Sequence, residues 1–397
     1  MLGLCLMALL AMAATTAVVA SPALASCNEE CKAQKEKEKQ ERKEQKEKEK
    51  EEAKKQKEKE KAEKEVAEGK YSIYTWGQYK HCPFGNEEFA DAVPLKSRAF
   101  CFVGRTKGGS EGGFFILGGV TVKLSKPITL QGGYLTHTSA EKTAIKTEQK
   151  ECEANPEYSP VCKEAEESPE GFEKYWKYKV NNLKVVAAEG AETLEAPELK
   201  VNKGLKLITQ TIQEDQEWPA ELSAALKEAE RNGEGNVYAK IEVAGSGLYE
   251  TYGGLNTTNL LDETGPAFIL PLKVRLINPF LEKLGGGPCT IGNDGSPITQ
   301  RLTSEPPGRF AEPGAFKHNE AFTQLEIGGS RLVDLSWPVP EEAKASGCGG
   351  SYESYVNAAL DEVLELSPAA RGTTFLQGTL WTGNAYATKK AFEEGLP

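Results

Sequence analysis

Over the first seventy residues, apolar and polar positions are segregated along the chain; after them they alternate. Met1 to Ala20 is an uncharged run dominated by Leu, Met, Ala and Val, whereas no apolar residue occurs between Gln34 and Glu52. Pro22 and the small-residue stretch Ala23-Leu24-Ala25 follow the apolar run. This fits the A-x-A signal-peptidase pattern and predicts a signal peptide over residues 1–25. Leu24-Ala25-Ser26-Cys27 also fits a bacterial lipobox, which would place acyl chains on Cys27. An uncleaved transmembrane anchor is disfavoured, because the run meets no flanking charge until Glu29.

Residues 26–70 read as a charged spacer. From Glu29 to Lys70 there are 16 Lys+Arg and 15 Glu, and without apolar positions there is no heptad seam for a coiled coil. Helix propensity is high. Runs such as Lys35-Glu36-Lys37-Glu38-Lys39, however, place like charges at i,i+4 and opposite charges only at i,i+3. Two forms stay open, a solvated helix that frays and a disordered polyampholyte, and either would space the body from whatever the N-terminus touches. As a helix, about 40 residues would reach roughly 60 Å.

From Tyr71 to Pro397 the pattern changes to short alternating runs. Phe114–Leu117, Val120–Leu124 and Ile128–Gln131 are separated by Gly and Pro turns, as in a meander. Leu270, Leu272, Val274 and Leu276 alternate with Pro271, Lys273 and Arg275. That predicts a half-buried strand, with the proline pointing to an edge or a strand start. Val237–Ala244 and Thr373–Leu380 read the same way. Helices are predicted over Pro219–Arg231 and Ser351–Leu366, each with apolar residues on one face. The expected fold is α+β, mainly β, with sandwich-like antiparallel sheets, a few helices and disulfides, and it forms an extracellular body over 71–397. An acidic insertion spans about 141–170. Within it, Cys152 and Cys162 bracket what reads as a stapled surface loop, Glu151 to Pro169. No convincing internal repeat occurs.

Cysteine and charge narrow the setting. Cys5 leaves with the leader, and the remaining eight cysteines can all pair; lipidation of Cys27 would leave an odd thiol, so parity favours simple secretion. Proximity predicts Cys82 with Cys101, Cys152 with Cys162, and Cys289 with Cys348, leaving Cys27 and Cys31 to each other or to another chain. When the tract's 16 Lys+Arg and 15 Glu are set aside from the chain's 48 basic and 59 acidic residues, 32 against 44 remain. That acidic balance argues against nucleic acid and against a polybasic membrane patch, so membrane contact requires lipidation at Cys27.

Candidate chemistry is sparse. Gly108-Gly109-Ser110-Glu111-Gly112 satisfies G-x-S-x-G, and His81, His137 and His318 are available as bases. A nucleophile elbow needs a strand, a sharp turn and then a helix, whereas this string runs into strand-like Phe114–Leu117. Ser139-Ala140-Glu141-Lys142 matches S-x-x-K without its companion triplets and reads as a helix cap or loop. No C-x-x-C, H-E-x-x-H or calcium-loop spacing is present, so no metal or other cofactor is expected. A glycosidase-type carboxylate pair cannot be located from sequence. Tyr175-Trp176-Lys177-Tyr178 is a candidate for stacking on sugars, against the plainer reading that it is core.

Asn278-Pro279-Phe280-Leu281, Pro288-Cys289-Thr290-Ile291-Gly292, Gly347-Cys348-Gly349-Gly350 and Phe375-Leu376-Gln377-Gly378-Thr379-Leu380 resemble a family of uncharacterised secreted actinobacterial proteins. There is a fainter echo in Ile128–Gly133. The resemblance spans the last third of the chain and implies export and an extracellular β-rich fold, with no activity or site to carry over. Two function classes follow. The first is a non-catalytic extracellular or cell-envelope protein binding glycan, protein or an apolar small molecule. The second is a secreted hydrolase of carbohydrate or ester substrates, recognisable by acids, or Ser110 with a histidine, converging in one pocket. The first needs fewer assumptions. Its location would be extracellular or at the cell surface, or, if lipid-anchored, at the outer face of the cytoplasmic membrane.

Overall fold

The computed structural model describes residues 29–67, 71–117, 120–155, 157, 162, 176, 179–202, 204–206, 218–244, 255–256, 266–304, 316–340, 343–366 and 371–396. The leader, Cys27 and most of the Cys152–Cys162 loop lie outside these residues. The chain divides into two compact units, Met1–Glu58 and Lys59–Pro397. The charged tract is a 39-residue helix, α1 (Glu29–Ala67). All of its described side chains are exposed, as expected where no apolar stripe exists to bury.

Among the described residues the body has sixteen strands. In chain order they are β1 (Ala99–Thr106), β2 (Gly113–Leu117), β3 (Val120–Lys123), β4 (Thr129–Leu135), β5 (Asn182–Ala187), β6 (Leu194–Glu195), β7 (Leu199–Lys200) and β8 (Tyr238–Val243). They continue with β9 (Leu255–Asn256), β10 (Phe268–Ile277), β11 (Cys289–Ile291), β12 (Ile298–Ser304), β13 (Phe316–His318), β14 (Gln324–Pro338), β15 (Ala345–Ser346) and β16 (Arg371–Asn384). The shorter helices are α2 (Glu87–Ala92), α3 (Ser139–Ala154), α4 (Ala220–Arg231), α5 (Pro279–Lys283), α6 (Glu353–Val363) and α7 (Ala385–Glu393).

All these strands belong to one antiparallel sheet that curls on itself, in place of the two facing sheets of a sandwich. β1, β4, β5, β9, β10, β12, β14 and β16 pair in a closed cycle. Three long strands extend beyond this ring. One edge of β10 is paired first with β12, over Phe268–Leu272, and then with β11, while its other edge meets β9 and then β8. β16 pairs along its length with β14, and its other edge is shared between β2 and β1. Two apolar cores are therefore stacked along the same long strands. One, inside the ring, contains Phe102, Tyr134, Leu270, Leu302 and Leu380. The other, beneath it, contains Leu222, Leu276, Ile298, Trp337 and Leu360 and is closed by α4, α5 and α6.

Pro271 sits inside β10 and not at an edge or start. Its carbonyl accepts from the Ala244 backbone N–H at 3.0 Å, just past the last residue of β8. In an antiparallel ladder a residue's N–H and C=O face the same neighbour, so the missing N–H falls where that neighbour's ladder stops.

A third cluster covers the outside of β1, β4 and β16. Gly383, Cys101 and Gly133 are cross-strand partners in one row, and without side chains at its two glycines the row forms a trough. A methyl on Gly383 would stand 2.9 Å from the Tyr79 ring, and one on Gly133 would collide with the Phe89 ring. These two rings fill the trough, and a Cys82–Cys101 pair at disulfide distance, S–S 2.00 Å, ties their segment to β1. Cys152–Cys162 and Cys289–Cys348 are likewise at disulfide distance.

Candidate functional site

The motif residues of the last third of the chain are scaffold residues. Asn278 is fully buried and uses its whole amide: Nδ2 donates to the Glu234 and Asn236 carbonyls, and Oδ1 accepts from the Phe280 and Leu281 N–H groups at the start of α5. Cys289 opens β11 and bonds to Cys348, while Phe375–Leu380 lies within β16.

The candidate catalytic groups lie in separate surroundings. Ser110 belongs to a short 3-10 turn, Gly109–Glu111, between β1 and β2, so no helix follows it. His81 Nδ1 lies 2.9 Å from the Glu189 carbonyl. His137 lies 4.0 Å from Glu141, and its Nε2 is buried without a hydrogen-bond partner. His318 stacks on Phe322, with ring centroids 3.8 Å apart. Ser139 begins α3, whose N-cap is Thr138; there Thr138 Oγ1 accepts from the Glu141 N–H, and Glu141 accepts from the Thr138 N–H. Burial raises the Glu141 carboxyl pKa, but the hydrogen bonds from Thr138 and Arg98 outweigh it and bring the group to about 2. Trp176, the described member of the aromatic stretch, is buried with Ile145, Cys152 and Cys162. Among the described residues, no cluster of three or more His, Cys, Asp or Glu is arranged to hold a metal ion.

Exposed aromatic surface lies elsewhere. Phe322 is 75% exposed with φ +52°, in a turn where Asn319 Oδ1 accepts from the Thr323 and Gln324 N–H groups. That backbone region is unusual for a bulky side chain.

The interior of the curled sheet is lined by apolar side chains. The inward row of β10, Phe268, Leu270, Leu272, Val274 and Leu276, runs through both cores and lines two chambers in turn. The upper one, about 90 Å³, is bounded by Gly104, Leu130, Phe268, Leu270, Leu302 and Leu380. The lower one, about 80 Å³, is bounded by Phe115, Ile241, Leu272, Ile298, Gln300 and Trp337. Interior hydroxyls are mostly bonded. Trp337 Nε1–H donates to Thr374 Oγ1 at 3.0 Å, and Ser330 donates to the Ile327 carbonyl. Tyr134 is pushed up to about 12 by burial, against a hydrogen bond with Thr382.

Among the described residues, both amide atoms of buried Gln324 and the Trp218 Nε1 lack such a bond, and so does Gln300. It pairs with Leu270 between Ile298 and Leu302 on the inward face of β12, is 4% exposed, and makes no side-chain hydrogen bond among the described residues. The sequence carries a signal for it, since Gln300 occupies an apolar phase of the alternation Ile298-Thr299-Gln300-Arg301-Leu302. No family model matches the chain, and neither does a curated protein or a solved structure.

Proposed function

We propose that this chain is an exported, non-catalytic binding protein of the extracellular space or cell envelope, and that its binding element is the apolar interior of the curled sheet. One observation carries the reading. The three histidines sit in unrelated surroundings and Ser110 lies in a turn that leads into β2, whereas the apolar rows of the long strands converge on two chambers. Concave apolar sites with few polar groups are the usual form of small-molecule sites.

Export rests on the leader, on the likeness to secreted actinobacterial proteins, and on three cysteine pairs that fit an oxidising compartment. Among the described residues no helix is long and apolar enough to cross a membrane. Cysteine parity favours simple secretion over a lipid anchor at Cys27, with α1 as a solvated spacer. Of the three partner classes, glycan, protein and apolar small molecule, the interior favours the last.

The test is a turnover screen of the full chain with nitrophenyl esters and glycosides, alongside Ser110→Ala. Silence is the expected result. Turnover abolished by that substitution, or by removal of a single carboxylate, overturns the reading in favour of a hydrolase.

A further inference from the structure

We infer that the lower chamber binds a small uncharged ligand that is apolar except for one hydrogen-bonding group, such as a short alcohol, ketone or amide, and that Gln300 holds that group. The inference rests on the binding reading above and specifies its ligand.

Three observations converge on it. First, the lining is apolar on every strand that contributes, including Phe115 and Leu117 of β2, Ile241 of β8, Leu272 and Val274 of β10, and Trp337 of β14, with Gln300 the one polar side chain among its lining residues. Second, Gln300 is nine-tenths buried and unbonded. A buried amide left without a partner is unfavourable, and native proteins rarely keep one. Third, the Trp337 N–H does not serve it, because it donates to Thr374 Oγ1.

Water is a poor occupant, since an ordered buried water needs two to four polar partners and this lining offers one residue. An ion is excluded by the cost of burying an unpaired charge. Size sets the remaining limit. An engineered apolar cavity of about 150 Å³ admits benzene. The chamber here, about 80 Å³, is roughly half that and suits about three heavy atoms.

The experiment is a methyl-NMR titration of the full chain with ethanol and propane, which have the same number of heavy atoms and differ in one hydroxyl. Wild type should bind ethanol about five- to tenfold more tightly than propane, the worth of one net hydrogen bond. Gln300→Leu should fold, retain propane and lose the preference. Ala239→Leu, which places three more carbons in the chamber, should lose both ligands. Equal affinities in wild type, or a preference that survives Gln300→Leu, overturns the inference. So does a Gln300→Leu chain that fails to fold, since the amide would then be a structural partner. Any of these outcomes with no hydrolase turnover leaves the non-catalytic reading intact, whereas turnover defeats that reading whichever ligand binds.

Discussion

Trp337 and Thr374 offer the sharpest test of how the lower core is held. The indole is 4% exposed and Thr374 fully buried, and their 3.0 Å hydrogen bond joins β14 to β16 where Trp337 pairs with Gly372. Trp337→Phe keeps an aromatic ring but removes the donor, leaving the Thr374 hydroxyl unbonded. The stranded hydroxyl costs about 1–3 kcal/mol, and the lost ring volume adds to it, so about 2–4 kcal/mol in all is expected. Thr374→Val strands the indole N–H instead, at about 1–3 kcal/mol. In the double variant neither group is stranded, so its loss should fall short of the summed single losses by about 1–2 kcal/mol. Urea unfolding reads this as shifts in midpoint at constant slope. Single losses that add to within about 0.5 kcal/mol refute the pairing.

Other expectations follow from separate parts of the fold. Removing the Cys289–Cys348 pair, which closes 59 residues, should cost about 4 kcal/mol, against about 3 kcal/mol for the 10-residue Cys152–Cys162 loop; the reverse order in urea unfolding contradicts it. Gly104→Ala should stabilise by about 0.5–1 kcal/mol, because the added methyl meets only Leu380 Cδ1 at 3.7 Å and the Leu130 carbonyl at 3.9 Å beside the upper chamber. A lowered thermal midpoint would argue against that space. Glu141 lies below its ordinary 4.5, at about 2, so the stability it gives α3 is complete above the ordinary value and lost as pH falls from about 4.5 to about 2. The gap in thermal midpoint between wild type and Glu141→Gln should close over that window, and a constant gap would refute the linkage.

Local pattern made much of the fold legible. The period-two run of β10 marks its inward face residue by residue, and apolar spacing places α4 and α6 close to their observed bounds. The cap of α3 is Thr138-x-x-Glu141, one residue upstream of the overlapping S-x-x-K string. Ring closure left no local trace. β1 meets β16 through partners such as Phe100 and Asn384, and a curled sheet and a sandwich share the same alternation. Pro271 is tolerated inside β10 for a related reason: the end of the neighbouring strand, which its own segment does not encode, decides where a missing N–H is harmless. The candidate site was readable only as a phase, with Gln300 polar where Ile298 and Leu302 are apolar. Its burial and lack of a partner depend on strands remote in sequence.

The central claim is that the sheet encloses a dry, apolar interior, and diffraction from crystals of the full chain under xenon pressure tests it most directly. Xenon enters empty apolar cavities, so anomalous peaks are expected beside Leu272, Ile298 and Trp337 and beside Leu270, Leu302 and Leu380. Absence of both peaks, with side chains collapsed into the space or ordered water bonded to Gln300, would contradict the claim.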